Sequence, residues 1–158
     1  MKIRIGDKEF KVRLAENNEE KSIGLSNTKS LPKKEGFAMK FDGTRSIPIT
    51  MANMAFPIDI IFSLNGKVTK VITAQPNSKD IKIKQASDLI VEVNAGEAAG
   101  IKSKDDISFI GIKNEDGTVE MVEGGIEALG NRHVLDEDGK NQMNLLGCLL
   151  YTSDAADE

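Results

Sequence analysis

The sequence predicts a mainly β fold, a compact antiparallel β barrel or roll carrying two short helices. Three observations predict it. Short runs alternate apolar with polar residues, as in Lys2–Ile5, the period a half-buried strand requires. Two-residue turn signals, Gly6-Asp7 and Asn65-Gly66, join such runs in pairs, which is hairpin chemistry. No strand–helix–strand alternation of the kind that builds a nucleotide-binding parallel sheet runs through the 158 residues.

Taken in order, the first hairpin joins Lys2–Ile5 to 9–14 across Gly6-Asp7. Asn17 with Glu20 three residues later has capping-box spacing and opens a helix over 19–25. Pro57 offers no ladder donor, so a strand begins there and runs over Ile58–Leu64, with Asn65-Gly66 turning it into 67–73. Further strands are expected at 81–84, 89–93, 107–112 and 118–122, and a second, glycine-broken helix at 95–101. Asp42-Gly43, Asp116-Gly117 and Asp138-Gly139 supply αL-tolerant turns.

Composition narrows the function. With 21 basic and 25 acidic residues the net charge is −4, which argues against a general nucleic-acid binder relying on counterion release. The opening residues carry no apolar signal region and no stretch reaches the roughly 20 apolar residues of a membrane span, so a cytoplasmic location is expected. One Cys excludes a disulfide framework and a cysteine-rich zinc site.

The last eleven residues, from Cys148-Leu149-Leu150-Tyr151 to Asp157-Glu158, resemble the conceptual translation of a transposase-type sequencing adapter. On that reading the natural chain continues beyond Gly147 with other residues. Setting aside Asp154, Asp157 and Glu158 leaves 22 acidic residues against 21 basic, a net charge of −1.

The common catalytic constellations are missing. The stretch 96–103 resembles a phosphate loop but has three residues between its glycines and Ile101 where the Lys belongs. Residues 136–139 lack the sixth-position Gly and distal Glu of a calcium loop. His133 is the single imidazole and is placed in a polar turn, which leaves no His pair for a metal. Met39, Met51 and Met54 would suit a thioether copper site, but gap-filling in a core explains them better. No metal or cofactor is expected.

Asp59 stands out. It sits in the apolar run 58–62, where an ionised carboxylate must be hydrogen-bonded, paired or shifted in pKa. Alternation puts Asp59 and Ile61 on one face, and Ile58, Ile60 and Phe62 on the other. Asp59 either accepts from backbone N–H groups or Asn53, pinning the turn over 53–57, or acts as a general base with Asn53 polarising a substrate.

The string Met51-x-Asn53-x-x-x-Pro57-Ile58-Asp59-Ile60-Ile61-Phe62 is preceded by Gly24-Leu25, Leu31-Pro32 and Gly36-Phe37-Ala38-Met39-x-Phe41. It is followed by Gly66-x-Val68, Ala74-x-Pro76, Ile90-Val91-Glu92-Val93-x-Ala95-Gly96 and Gly100-Ile101. In that order, over about residues 8–112, the chain resembles the domain-of-unknown-function 192 family. The resemblance implies a compact, mostly antiparallel barrel or roll in a family without an established activity. Ile49-Thr50 stand where the family has an aromatic pair, while Ala52 and Thr28 replace its basic residues. Residues 134–147 are faintly similar to extensions on phage-encoded members.

The expected organisation is a family domain over 1–113, a β-hairpin extension over 114–147 and a tail over 148–158. The leading functional reading is a non-enzymatic binding or accessory module, in which Met51, Asn53, Pro57 and Asp59 line a groove for an unknown small molecule or protein partner. The alternatives are a hydrolase-like enzyme using Asp59 and Asn53, and a phage virion or assembly component that associates through 113–147.

Overall fold

The structure, a computed structural model, describes residues 2–15, 17–113, 119–123 and 133–134. Among the described residues nine strands form one sheet: β1 (Lys2–Ile5), β2 (Lys8–Leu14), β3 (Glu35–Lys40), β4 (Ile58–Leu64), β5 (Lys67–Ala74), β6 (Leu89–Asn94), β7 (Ile107–Lys113), β8 (Val119–Glu123) and β9 (His133–Val134). The spatial order is β5-β4-β6-β3-β2-β1-β7-β8, with β9 also on β7. A helix, α1 (Asn18–Ile23), follows β2.

From β5 to β7 the sheet curls until its two ends meet at one rim. The Val68 N–H donates to the Asp105 carbonyl at 2.9 Å, and the Lys104 N–H to the Val68 carbonyl at 2.7 Å. Lys67 forms an ion pair with Asp106 across the same seam. Beyond Val68 the two ends part, leaving a half-barrel.

The two faces of the sheet bury separate cores. Ile3, Ile5, Phe10, Val12, Ile61, Val91, Val93 and Phe109 pack on the concave face. Phe37, Met39, Ile58, Ile60, Phe62 and Ile90 pack on the convex face beneath the connections before β4 and after β5. Alternation along β4 therefore falls as expected, with Ile61 on one side and Ile58, Ile60 and Phe62 on the other. The strand starts immediately after Pro57, whose missing N–H makes it a natural first boundary. Met39, Met51 and Met54 are 2%, 0% and 6% exposed within the convex core, where unbranched side chains fill irregular space.

Several expectations are corrected. β3 is an additional strand, and its pairing with β2 is parallel. Five of its six residues are buried, so covered faces erase the alternation that would have announced it. The expected strand at 81–84 reduces to a bridge between Ile81 and Ile49. The alternation there is real, but Ile83 serves as a lid residue on the convex core.

The expected helix at 95–101 is a run of tight turns in which the N–H groups of Glu97, Ala99 and Ile101 donate to the carbonyls of Asn94, Gly96 and Ala98. Gly96 and Gly100 have φ of 93° and 88°, outside the helical region. His133 belongs to the backbone of β9, opposite Lys113, and not to a turn. β8 lies one residue beyond the expected 118–122. The turns at 116–117 and 138–139, the rest of the 114–147 extension and the 148–158 tail lie outside the described residues. Among the described residues no helix is long and apolar enough to cross a membrane.

Candidate functional site

Three carboxylates are buried among the described residues: Asp59, Asp88 and Glu92. Such groups need donors or counter-charges to remain ionised, and two of them have donors. Asp59 is 2% exposed. Its Oδ1 accepts from the Thr73 hydroxyl at 2.6 Å, and its Oδ2 from the N–H groups of Gly96 and Ala98 at 2.9 and 3.0 Å. The carboxylate thus pins the turns that follow β6. Asn53 is not among its partners, and the pinned loop is 95–101 rather than the turn over 53–57. Asp88 Oδ2 accepts from the Asn65 N–H at 3.0 Å.

Glu92 differs. It is 4% exposed, and among the described residues no hydrogen bond or ion pair reaches its carboxylate. Burial pushes the carboxyl up from its ordinary 4.5 to about 7, because the charged form loses its hydration. In β6 it lies beside Phe37 of β3 and Ile60 of β4, so it projects to the convex side, away from Asp59.

Above Glu92 lies a cavity of about 310 Å³. One wall is 21–26 and the other 48–50, with Met39, Met54 and Asp80 completing it. The first wall is fixed by α1. Asn17 caps the helix, its Oδ1 accepting from the Glu20 N–H at 2.9 Å, and the Gly24 N–H closes the far end on the Glu20 carbonyl at 2.8 Å. Gly24 has φ 55° and ψ −127°, a conformation that excludes most side chains. A β-carbon there would lie 3.8 Å from Glu92 Oε2. The second wall is tied down by paired bonds between Ile49 and Ile81, both 2.8 Å, and by the Asn77 N–H to the Met51 carbonyl at 3.0 Å.

A larger groove of about 770 Å³ runs past Arg4, Lys8, Glu9, Phe10, Lys34 and Glu97. Arg4 pairs with Glu9 at 2.7 Å, and Glu97 Oε1 accepts from the Lys34 N–H at 2.7 Å, while Glu97 Oε2 is buried without a partner among the described residues. The smaller cavity is the better candidate because neither oxygen of its Glu92 carboxylate accepts a hydrogen bond from the described residues, whereas Glu97 in the larger groove accepts one.

The sequence-derived candidates are dispersed relative to this cavity. Asp59 is on the other face of the sheet, and Met51 is fully buried beneath the second wall. Pro57 is half-buried at the mouth of β4, and Asn53 is exposed. Asn53 occupies a positive φ of 61°, with its carbonyl accepting from the Asn27 N–H at 3.1 Å and its N–H donating to Asn77 Oδ1 at 3.3 Å. Of the segment 51–59, Met54 reaches the cavity wall. The sequence reading passed over Glu92, although a Glu inside the apolar run of β6 carries the same signal as Asp59 inside β4. No group of three or more His, Cys, Asp or Glu side chains suited to a metal occurs among the described residues.

Comparison with solved structures supports the fold. A protein of unknown function from Novosphingobium aromaticivorans DSM 12444 superposes with a TM-score of 0.63 at 25% identity, over 68% of this chain and 83% of that one. A protein from Sinorhizobium meliloti 1021 described as a "putative transcription regulator" gives 0.62 at 22% identity, over 67% and 90%. Comparison with curated proteins finds no match. The model of the DUF192 family, described as an uncharacterized ACR, COG1430, matches residues 1–109. The half-barrel and the motif strings along it thus converge, and the chain belongs to the DUF192 family.

Proposed function

We propose that this protein is a non-enzymatic binding module whose ligand enters the cavity over Glu92. One observation carries the reading: a 4% exposed carboxylate without a hydrogen-bond partner among the described residues lines a cavity of about 310 Å³. Buried polar groups in native proteins are nearly always satisfied, and an exception calls for a reason. A missing ligand is such a reason. The volume is at the lower end of small-molecule sites, which favours a small ligand or a single side chain of a partner protein.

In this reading the segment 51–59 frames the site. Met54 supplies a wall, Met51 supports it from below, and Asn53 and Pro57 set the path of the chain. The hydrolase alternative built on Asp59 and Asn53 has less support, because both Asp59 oxygens already accept hydrogen bonds and Asn53 is not one of the donors.

The test is a fragment screen followed by amide chemical shifts on the whole chain. Perturbations clustered on Gly24, Leu25, Ile49, Thr50 and Glu92 support the proposal. Perturbations confined to the groove near Arg4 and Lys34, or none at all, overturn it.

A further inference from the structure

We propose that the cavity over Glu92 selects a compact cation, a primary ammonium or guanidinium group on a short apolar stem, which pairs with the ionised carboxylate. This rests on the binding reading above and adds the chemical class of the ligand.

The charges around the cavity support that class. On the α1 side the charged residue is Lys21, whose Nζ lies 4.9 Å from the centre of the Phe41 ring. The opposite rim carries Asp80, which is exposed. Arg13, two strands away in the row through Phe37 and Glu92, places its guanidinium 4.5 Å from the centre of the Phe37 ring. β4 presents Ile58, Ile60 and Phe62 on this face, and β3 presents Phe37 and Met39. The lining therefore holds one cation, Lys21, and two carboxylates, Asp80 and Glu92. With Glu92 ionised, a cation entering it meets a net negative field, whereas an anion meets repulsion from both carboxylates.

The apolar stem follows from the walls. Leu25, Pro48, Ile49 and Met54 line the space, and Ile23, 48% exposed, forms an apolar lip at the same opening. A charged group delivered to Glu92 would restore the interaction that burial removed, and beside a carboxylate that is 4% exposed such a pair is screened less than at the surface. The stem would cover the exposed lip. Fully hydrated metal ions lack that apolar part.

The experiment titrates the intact chain at pH 8 with n-butylammonium, n-butylguanidinium, n-butanol and butyrate, following the amides of Gly24, Leu25 and Thr50 and the side-chain carboxyl carbon of Glu92. The expected result is saturable binding of the two cations, at least about 10-fold tighter than butanol, with no binding of butyrate. Because the competent form is the ionised one, lowering the pH to 5 should weaken the cations by roughly 100-fold. Glu92→Gln should abolish both the preference and its pH dependence. Asp80→Asn should preserve the pH dependence, which assigns it to Glu92.

Two sources of the cation are separated by adding an acetylated, amidated Gly-Lys-Gly peptide. Binding equal to or tighter than butylammonium indicates a partner's side chain, and exclusion of the peptide indicates a free amine. Butanol or butyrate binding as well as the cations overturns the cation inference while leaving the cavity as a binding site. Failure of every probe to perturb the cavity overturns the binding reading itself.

Discussion

Asp59 and Glu92 lie on adjacent strands of one sheet and are buried almost equally, yet they face opposite sides of it and live in opposite chemistry. The register sets Asp59 against Val93 and Ile60 against Glu92, so the two carboxylates leave neighbouring rows in opposite directions. Asp59 accepts three hydrogen bonds on the concave side. Glu92, on the convex side, accepts none from the described residues. The first arrangement builds the fold, and the second burdens it.

That burden has a sign. The Glu92 carboxyl is raised from 4.5 to about 7 by burial, so between those values the folded chain keeps a proton that the unfolded chain has released. Stability then falls as pH rises through this window, by up to about 3 kcal/mol for a shift of that size. Glu92→Gln removes the titration. Melting curves of the variant should match wild type near pH 4.5 and lie on the order of 5–10 °C higher at pH 8. Equal melting temperatures at pH 8 would mean that the carboxylate is stabilised by a group the described contacts do not include.

Asp59 should behave in the opposite way. Removing its side chain by Asp59→Ala leaves the buried N–H of Ala98, the part-buried N–H of Gly96 and the Thr73 hydroxyl without this acceptor. The expected loss is about 3–5 kcal/mol, read from urea unfolding. Asp59→Asn keeps one amide oxygen for the two N–H groups and can donate its NH2 to Thr73, so it should lose about 1–2 kcal/mol. Amide exchange at Gly96 and Ala98 should accelerate in both variants, more in Asp59→Ala. An Asp59→Ala chain as stable as wild type would show that the three bonds contribute nothing net.

Much of this architecture was legible in the residues themselves. Pro57 marked the start of β4, Asn65-Gly66 its hairpin with β5, and the two faces of β4 sorted correctly because apolar alternation and a single charge leave little freedom of register. Asp59 was conspicuous as an acid in an apolar run, but its donors come from Thr73, Gly96 and Ala98, and no local pattern joins 59 to 98. Glu92 carried an equal signal. What distinguishes the two is which loop closes over each face, a tertiary fact. β3 was hidden for a related reason: a strand covered on both sides, with Gly36 inside and Lys40 at its end, shows neither alternation nor a purely apolar run.

Gly36 deserves a test because it lets β3 approach β6. A β-carbon there would lie 2.8 Å from the Glu92 carbonyl oxygen and 3.0 and 3.2 Å from methyl groups of Val93 and Val12. The nearest of these is backbone and cannot rotate away. Gly36→Ala should therefore shift β3 or β6 and lower stability by about 2–4 kcal/mol, outweighing the 0.5–1 kcal/mol that Ala ordinarily gains over Gly. Calorimetry checks the sign, and a neutral or stabilising result would rule out the close approach.

The cap of α1 links fold to site through the wall it holds. Asn17 Oδ1 accepts from the Glu20 N–H at 2.9 Å, and a helix of six residues is too short to persist without its caps and packing. Asn17→Ala should cost about 1 kcal/mol. It should also speed amide exchange from Glu20 to Gly24 while leaving β4 and β6 protected, since the sheet does not depend on the cap. Asn17→Ser, which restores an acceptor, should recover most of the loss. If Asn17→Ala instead loosened the whole sheet together with the helix, α1 would be part of the cooperative core and not a separable wall of the Glu92 cavity.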